Sequence, residues 1–248
     1  MDTNKQIQKR SIEAELREEI NKQGADFVFF VDISHLPDHQ NRKYPNAVLV
    51  GLVLSPEYLQ KITLTPDYVQ KMIQQKQFDI DQFHLKEIQT DLMADDIAYF
   101  LNSKGFSACS QSEKNISSIG FYDERTKSTP LPHKTIALMA GLGWIGKHNL
   151  LVSPKYGSAL SMCTILTDAP LKTVLYDPKE SACGNCTRCI HSCPVNALSG
   201  NTWTRHTGRD ELLDINVCTT CLQCLVLCPY TQKFIQNELK AKEDHSRS

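Results

Sequence analysis

Two runs with the same spacing constrain this chain more than anything else in it: Cys183-x2-Cys186-x2-Cys189-x3-Cys193-Pro194 and Cys218-x2-Cys221-x2-Cys224-x3-Cys228-Pro229. Three cysteines at two-residue intervals fold their thiolates around one corner of a compact core. An iron–sulfur cubane needs that arrangement; a tetrahedral zinc ion does not. Zinc sites use paired C-x2-C knuckles, and a third cysteine two residues on, repeated, is poor zinc spacing. The proline after each fourth cysteine lacks an N–H and fixes φ, so the chain turns where it leaves the cluster. A disulfide framework belongs to secreted chains. The first 22 residues here are polar and charged, without the apolar segment of a signal peptide.

The doubled run resembles that of bacterial two-cluster ferredoxins, in which the fourth cysteine of each run serves the other cluster. The resemblance implies one 4Fe-4S cluster on Cys183, Cys186, Cys189 and Cys228. It implies a second on Cys218, Cys221, Cys224 and Cys193.

Ahead of the cysteines the chain is long enough for a further domain: it has 248 residues, 41% hydrophobic and 22% charged. A net charge of −1 argues against wholesale electrostatic binding of nucleic acid. No apolar run approaches the length of a membrane span, so a reducing, anaerobic cytoplasm is the expected setting. Ile12, Leu16 and Ile20 recur at helical spacing in residues 11–23. Asp26–Asp32 and Ala47–Leu54 read as strands, apolar on both faces and therefore covered by helices on both sides. Residues 56–101 read as helical with interruptions; Ile88, Leu92, Ile97 and Leu101 form the apolar side of the last helix. Residues 106–109 suggest a short strand, and 110–134 a long functional or mobile loop. The fold class is α/β (α+β). Expected domains are 1–175, an α/β cofactor-binding domain, 176–235, a ferredoxin-like module, and 236–248, a polar tail forming a short frayed helix.

Gly141-Leu-Gly143-Trp144-Ile145-Gly146-Lys147 matches the dinucleotide fingerprint G-x-G-x-x-G, but that fingerprint needs a strand before it and a helix after. Here a helix over 134–140 precedes it, and Asn149–Val152 follows as a strand. Glycines at this density still let the backbone come close to something flat or charged. Residues 159–167 read as a further apolar strand containing Cys163.

Three stretches in this order resemble the epoxyqueuosine reductases and, more distantly, the reductive dehalogenases. They are Ala140–Lys147, Gly157-Ser158 with Ile165–Leu171, and the cysteine runs with Cys193-Pro-Val-Asn-Ala197. The resemblance implies a nitroreductase-like domain that binds cobalamin, fused to a ferredoxin-like module with two 4Fe-4S clusters. The implied activity is transfer of single electrons to the cobalamin for reductive cleavage of a substrate. A low-potential donor, ferredoxin or flavodoxin, would feed the clusters. There are departures. The family's proton-donating aspartate, three residues before a proline, is matched by Lys127 before Pro130, and a following glutamate by His133. An Asp-Tyr-His element corresponds to Gln82-Phe83-His84, and a Gly-Glu pair to Cys163-Thr164. The C-terminal helical-repeat extension with which longer members grip tRNA is expected to be missing.

His133, Tyr122 and Tyr156 are the candidate proton donors; His133 and His148 are chosen because histidine titrates near neutral pH. The candidate cofactor-binding residues are Gly141, Gly143, Trp144, Ile145, Gly146, Lys147, Gly157, Ser158 and Cys163. Two alternatives stand beside the reductase: a redox service protein that reduces a corrinoid protein or another partner, and a reductase using FMN. tRNA is the first substrate to consider, and no membrane partner is expected.

Overall fold

The computed structural model describes residues 10–246. Residues 1–9 of the polar N-terminus and 247–248 of the expected tail lie outside the described residues. Helix α1 (Ile12–Lys22) starts where Ser11 accepts the Ala14 N–H, and it buries Leu16 and Ile20. Strand β1 (Phe27–Asp32) follows. A short α2 (Asp38–Asn41) then leads to β2 (Asn46–Val53). Helices α3 (Pro56–Leu64), α4 (Tyr68–Gln74) and α5 (Gln82–Ser103) come next, then strand β3 (Ala108–Ser110) and α6 (Glu113–Ser118). Helix α7 (His133–Met139) precedes a small hairpin of β4 (Trp144–Ile145) and β5 (Leu151–Val152), and β6 (Leu160–Thr167) completes the sheet. The cysteine-bearing segment holds α8 (Arg188–His191) and α9 (Gln223–Val226). Helix α10 (Pro229–Ser246) runs unbroken through the point at which a frayed tail was expected.

The main sheet has the order β1-β2-β6-β3, and every pairing is antiparallel. Its strands carry apolar residues on both faces because helices cover both. Val48, Val50 and Leu52 pack with Cys163 and Ile165 under α1 and α5. Ala47 and Leu49 pack with Leu166 under α7. A third cluster joins α3 to the cysteine segment through Leu59, Ile62, Leu222, Leu225, Val226 and Phe234.

Two expectations are corrected. The buried side of α5 is Met93, Ala94, Ile97, Ala98 and Leu101, whereas Ile88 and Leu92 are 44% and 59% exposed. Residues 110–134 are not one irregular loop. They contain α6 and a tight turn in which Asp123 pairs with Ser128 and its carboxylate accepts the Arg125 and Thr126 N–H groups. Among the described residues no helix is long and apolar enough to cross a membrane.

Candidate functional site

The two cysteine runs fold alike. Each makes a turn followed by a one-turn helix, α8 or α9, and each relies on backbone with positive φ: Gly184 and Asn196 in the first, Thr220 and Leu222 in the second. Cys183, Cys186, Cys189 and Cys228 line one small pocket, together with His148, Val152, Pro229 and Tyr230. Cys193, Cys218, Cys221 and Cys224 lie together on the wall of a larger cavity. Each set therefore takes three cysteines from one run and the fourth from the other.

Burial pushes the thiols of these sets up, to about 11 at Cys189 and about 12 at Cys224, with neighbouring cysteines adding to the effect. At Cys228 burial raises the thiol while the Tyr230 and Thr231 N–H groups, at the start of α10, favour the thiolate. Ala197 N–H donates to Cys193 Sγ at 3.2 Å. Thiolates that are costly when free and already met by N–H donors are a donor set for a soft metal cluster. Among the described residues no three His, Cys, Asp or Glu side chains close around a single ion.

The large cavity, about 790 Å³, lies between the pocket-facing side of β6 (Leu160, Met162), residues 148–151, residues 122–134 and the second cysteine set. Ile116, Leu198, Leu213, Ile215 and Leu225 give it apolar walls. Its polar wall holds His133, Lys134, Tyr122, Lys127 and Arg209. His133 Nδ1 is 3.0 Å from Thr164 Oγ1. Lys134 Nζ donates to Asn149 O (3.0 Å) and Oδ1 (2.7 Å), and burial followed by the Arg209 charge pushes its pKa down to about 8. Arg209 donates to the carbonyls of Thr126 and Lys127 and so ties the 121–132 segment to the cysteine module.

The structure separates the sequence candidates. His133, Tyr122 and Ser158 line the cavity. Burial pushes both His133 and His148 down to about 4, so neither is an imidazolium at neutral pH, contrary to the expectation of titration near pH 7. Tyr156 is elsewhere, stacked on Phe27 and edge-on to Phe234. Cys163 sits on the opposite face of the sheet in the core under α5.

Gly141, Gly143, Trp144, Ile145, Gly146 and Lys147 are not on the cavity wall, and the glycines serve protein contacts. A Cβ at Gly143 would lie 2.0 Å from the Val152 carbonyl oxygen, across the β4–β5 hairpin. One at Gly146 would meet the His148 ring at 2.7 Å. One at Gly157, where φ is +60°, would lie 2.4 Å from the Thr231 backbone. Ser158 N–H donates to Thr231 Oγ1 at 2.9 Å, so Gly157-Ser158 is the seat of α10. Ile145 is core, Lys147 is only 7% exposed, and Trp144 packs with Val152, Cys228 and Tyr230. The Gln82-Phe83-His84 element divides. Gln82 Oε1 accepts the Ser55 N–H, Phe83 lines the cavity, and His84 packs on Phe78.

Sequence reasoning missed Lys134, Asn149, Met162 and Arg209. Alternation along β6 from Ser158 could have placed Leu160 and Met162 on one face. Nothing local marks Arg209, whose partners are 82 and 83 residues away.

Residues 182–232 match the family described as a 4Fe-4S dicluster domain. Over 86 residues the chain is 40% identical to an epoxyqueuosine reductase of Vibrio cholerae, a stretch that is 35% of this chain and 22% of that enzyme. Over 122 residues it is 37% identical to the epoxyqueuosine reductase of a Synechococcus species, 44% of this chain and 38% of that one. The matches thus span well under half the length of these relatives. A solved reductive dehalogenase, described as suggesting a mechanism for B12-dependent dehalogenation, superposes with a TM-score of 0.59 at 17% identity, covering 96% of this chain and 35% of that one. Epoxyqueuosine reductase bound to an epoxyqueuosine-modified tRNA-Tyr stem loop superposes at 0.50 and 17% identity, over 88% and 65%. The fold is theirs: a mixed α/β domain with a ferredoxin-like module.

Proposed function

We propose that this chain, a relative of the epoxyqueuosine reductases, carries two 4Fe-4S clusters and delivers their electrons to cobalamin bound in the large cavity. Cys183, Cys186, Cys189 and Cys228 would hold one cluster, and Cys193, Cys218, Cys221 and Cys224 the other. The observation that carries the reading is that the second cysteine set lines the same cavity as His133 and Tyr122. A cluster there, beside the cavity, would be the inner one, and the first, which lines a separate small pocket, would be the outer one. A cavity of this size, with apolar walls and one polar, cationic wall, supports a large cofactor that carries polar side groups, and the solved dehalogenase with this fold is described as B12-dependent. Bound cobalamin would supply reduced cobalt able to cleave a substrate bond.

The chain's own residues would shape that chemistry. Leu160, Met162, Leu198 and Leu225 exclude water from the cavity. His133 is neutral and fixed by Thr164, so it can accept or relay a proton but does not bring one as an imidazolium. Lys134, at about 8, still holds its proton at neutral pH and keeps it at the cavity wall beside Asn149. Tyr122 offers a hydroxyl there, and Lys127, at the family's aspartate position, offers a cation. The substrate would be an epoxide-bearing nucleoside of tRNA, the electron donor a ferredoxin or flavodoxin, and the setting the cytoplasm.

The test is anaerobic reconstitution with iron and sulfide, then cobalamin or FMN, followed by absorbance and EPR before and after dithionite. About eight irons per chain, retained cobalamin, and turnover of an epoxyqueuosine-bearing stem loop are expected. Retention of FMN instead of cobalamin would refute the corrinoid part and leave the clusters standing.

A further inference from the structure

Resting on the reading that Cys183, Cys186, Cys189 and Cys228 hold a cluster, we propose that Trp144 donates its indole N–H to that cluster's sulfur at the Cys228 corner, and so raises its reduction potential. Trp144 lies opposite Val152 in the β4–β5 hairpin and is 6% exposed. Its Nε1–H is buried and meets no acceptor in the protein. Buried polar groups left without a partner are rare and call for a specific one. The side chains it packs with narrow the choice. The Val152 side chain offers no acceptor, and Tyr230 meets the indole edge to face, ring centroids 4.9 Å apart and planes at 79°, so its ring is at most a weak N–H···π partner. Cys228 offers sulfur.

Burial and the neighbouring cysteines raise the Cys228 thiol, so a negative sulfur at this corner calls for N–H donors. The N–H groups of Tyr230 and Thr231 already reach Cys228, and Val152 and His148 of the same hairpin region line the pocket of this set. An N–H on cluster sulfur stabilises the reduced, more negative form more than the oxidised one, which is how hydrogen bonds tune these centres. The hairpin therefore serves the outer cluster, and Trp144 is a positioning and tuning residue of that cluster.

The first measurement is an EPR-monitored redox titration of Trp144→Phe, which keeps the ring and removes the donor. In a variant with full iron and sulfide, one cluster's midpoint should move to more negative potential while the other keeps its value. Unmoved midpoints in both clusters would overturn the proposal. A second measurement needs no change at Trp144. The Trp203→Phe protein, in which Trp144 is the remaining tryptophan, is labelled with 15N at the indole nitrogen, reduced, and examined by pulsed EPR. A 15N coupling to a cluster spin is expected, and its absence overturns the proposal. Iron well short of about eight per chain in the unmodified protein would instead overturn the cluster reading beneath it.

Discussion

Replacing Gly143 by alanine puts a methyl group where the structure has a carbonyl. The added Cβ would stand 2.0 Å from Val152 O and 2.8 Å from its carbon, both backbone atoms in the paired strand. No rotamer relieves that contact, so the β4–β5 hairpin would have to open by about 1 Å to restore an ordinary separation. Ile145 and Val152 are buried on the two strands, so the opening would also loosen packed side chains. Overpacking of this kind costs about 1–3 kcal/mol and sometimes more; with backbone on both sides the upper end, about 3 kcal/mol, is expected. For a chain of this size that lowers Tm by roughly 6–12 °C. The assay is anaerobic thermal unfolding of cluster-loaded protein without any corrinoid, with Gly141→Ala as comparison. Gly141 has φ +71° and would meet a side chain rather than backbone, the exposed Tyr176 ring at 3.0 Å, so a cost of about 1 kcal/mol is expected there. If the Gly143 variant melts with the parent and loses only affinity for cobalamin, the loop serves cofactor approach and the packing argument is wrong.

Other outcomes follow from the same geometry. Cys193→Ser should leave about four irons per chain and spare the cluster on Cys183, Cys186 and Cys189; loss of that cluster instead would refute the crossed pairing. His133 has a folded pKa of about 4, below its unfolded value near 6.5, so the unfolded chain binds the proton first. Stability should be full above pH 6.5 and fall as pH drops from 6.5 towards 4, and His133→Asn should lessen the pH–Tm slope in that window, leaving the part that His148 contributes. Arg209→Ala removes the donor to the Thr126 and Lys127 carbonyls, each bond to a charged donor contributing about 1.5–3 kcal/mol. Faster amide exchange confined to residues 121–132 and their neighbours is expected, and unchanged exchange would count against the tether.

The parts legible in the sequence were those fixed by local pattern. Apolar runs marked β1, β2 and β6 within a residue or two, and Ile12, Leu16 and Ile20 marked α1. Such continuous runs typify parallel sheets, yet here the strands pair antiparallel; they are apolar throughout because helices cover both faces. The side of α5 that faces the core was misjudged: Ile88 and Leu92 have the right spacing, but small Ala94 and Ala98 are what let the helix lie close to β6. The glycine loop was less legible. Its composition says that backbone comes close to something flat or charged, while the protein atoms its glycines meet, at Val152 and the His148 ring, are set by a hairpin turn that composition does not encode. Tyr156 shows the same limit, its neighbours Phe27 and Phe234 being distant in sequence.

The seat of α10 on Gly157 and Ser158 has a consequence for the order in which the molecule can be made. Cys228 stands one residue before that helix, and Thr231, one turn in, is held by Ser158 N–H from the far side of the chain. Under the proposed crossed pairing, three ligands of the outer cluster would be made ahead of the fourth, which would be placed only once the α/β domain offers its seat. Delivery of that cluster would then be a late event on an already folded body, through the face where Cys183 and Cys186 are half-exposed. Maturation would act as a checkpoint, completing the redox chain only in molecules whose sheet and C-terminal helix have met.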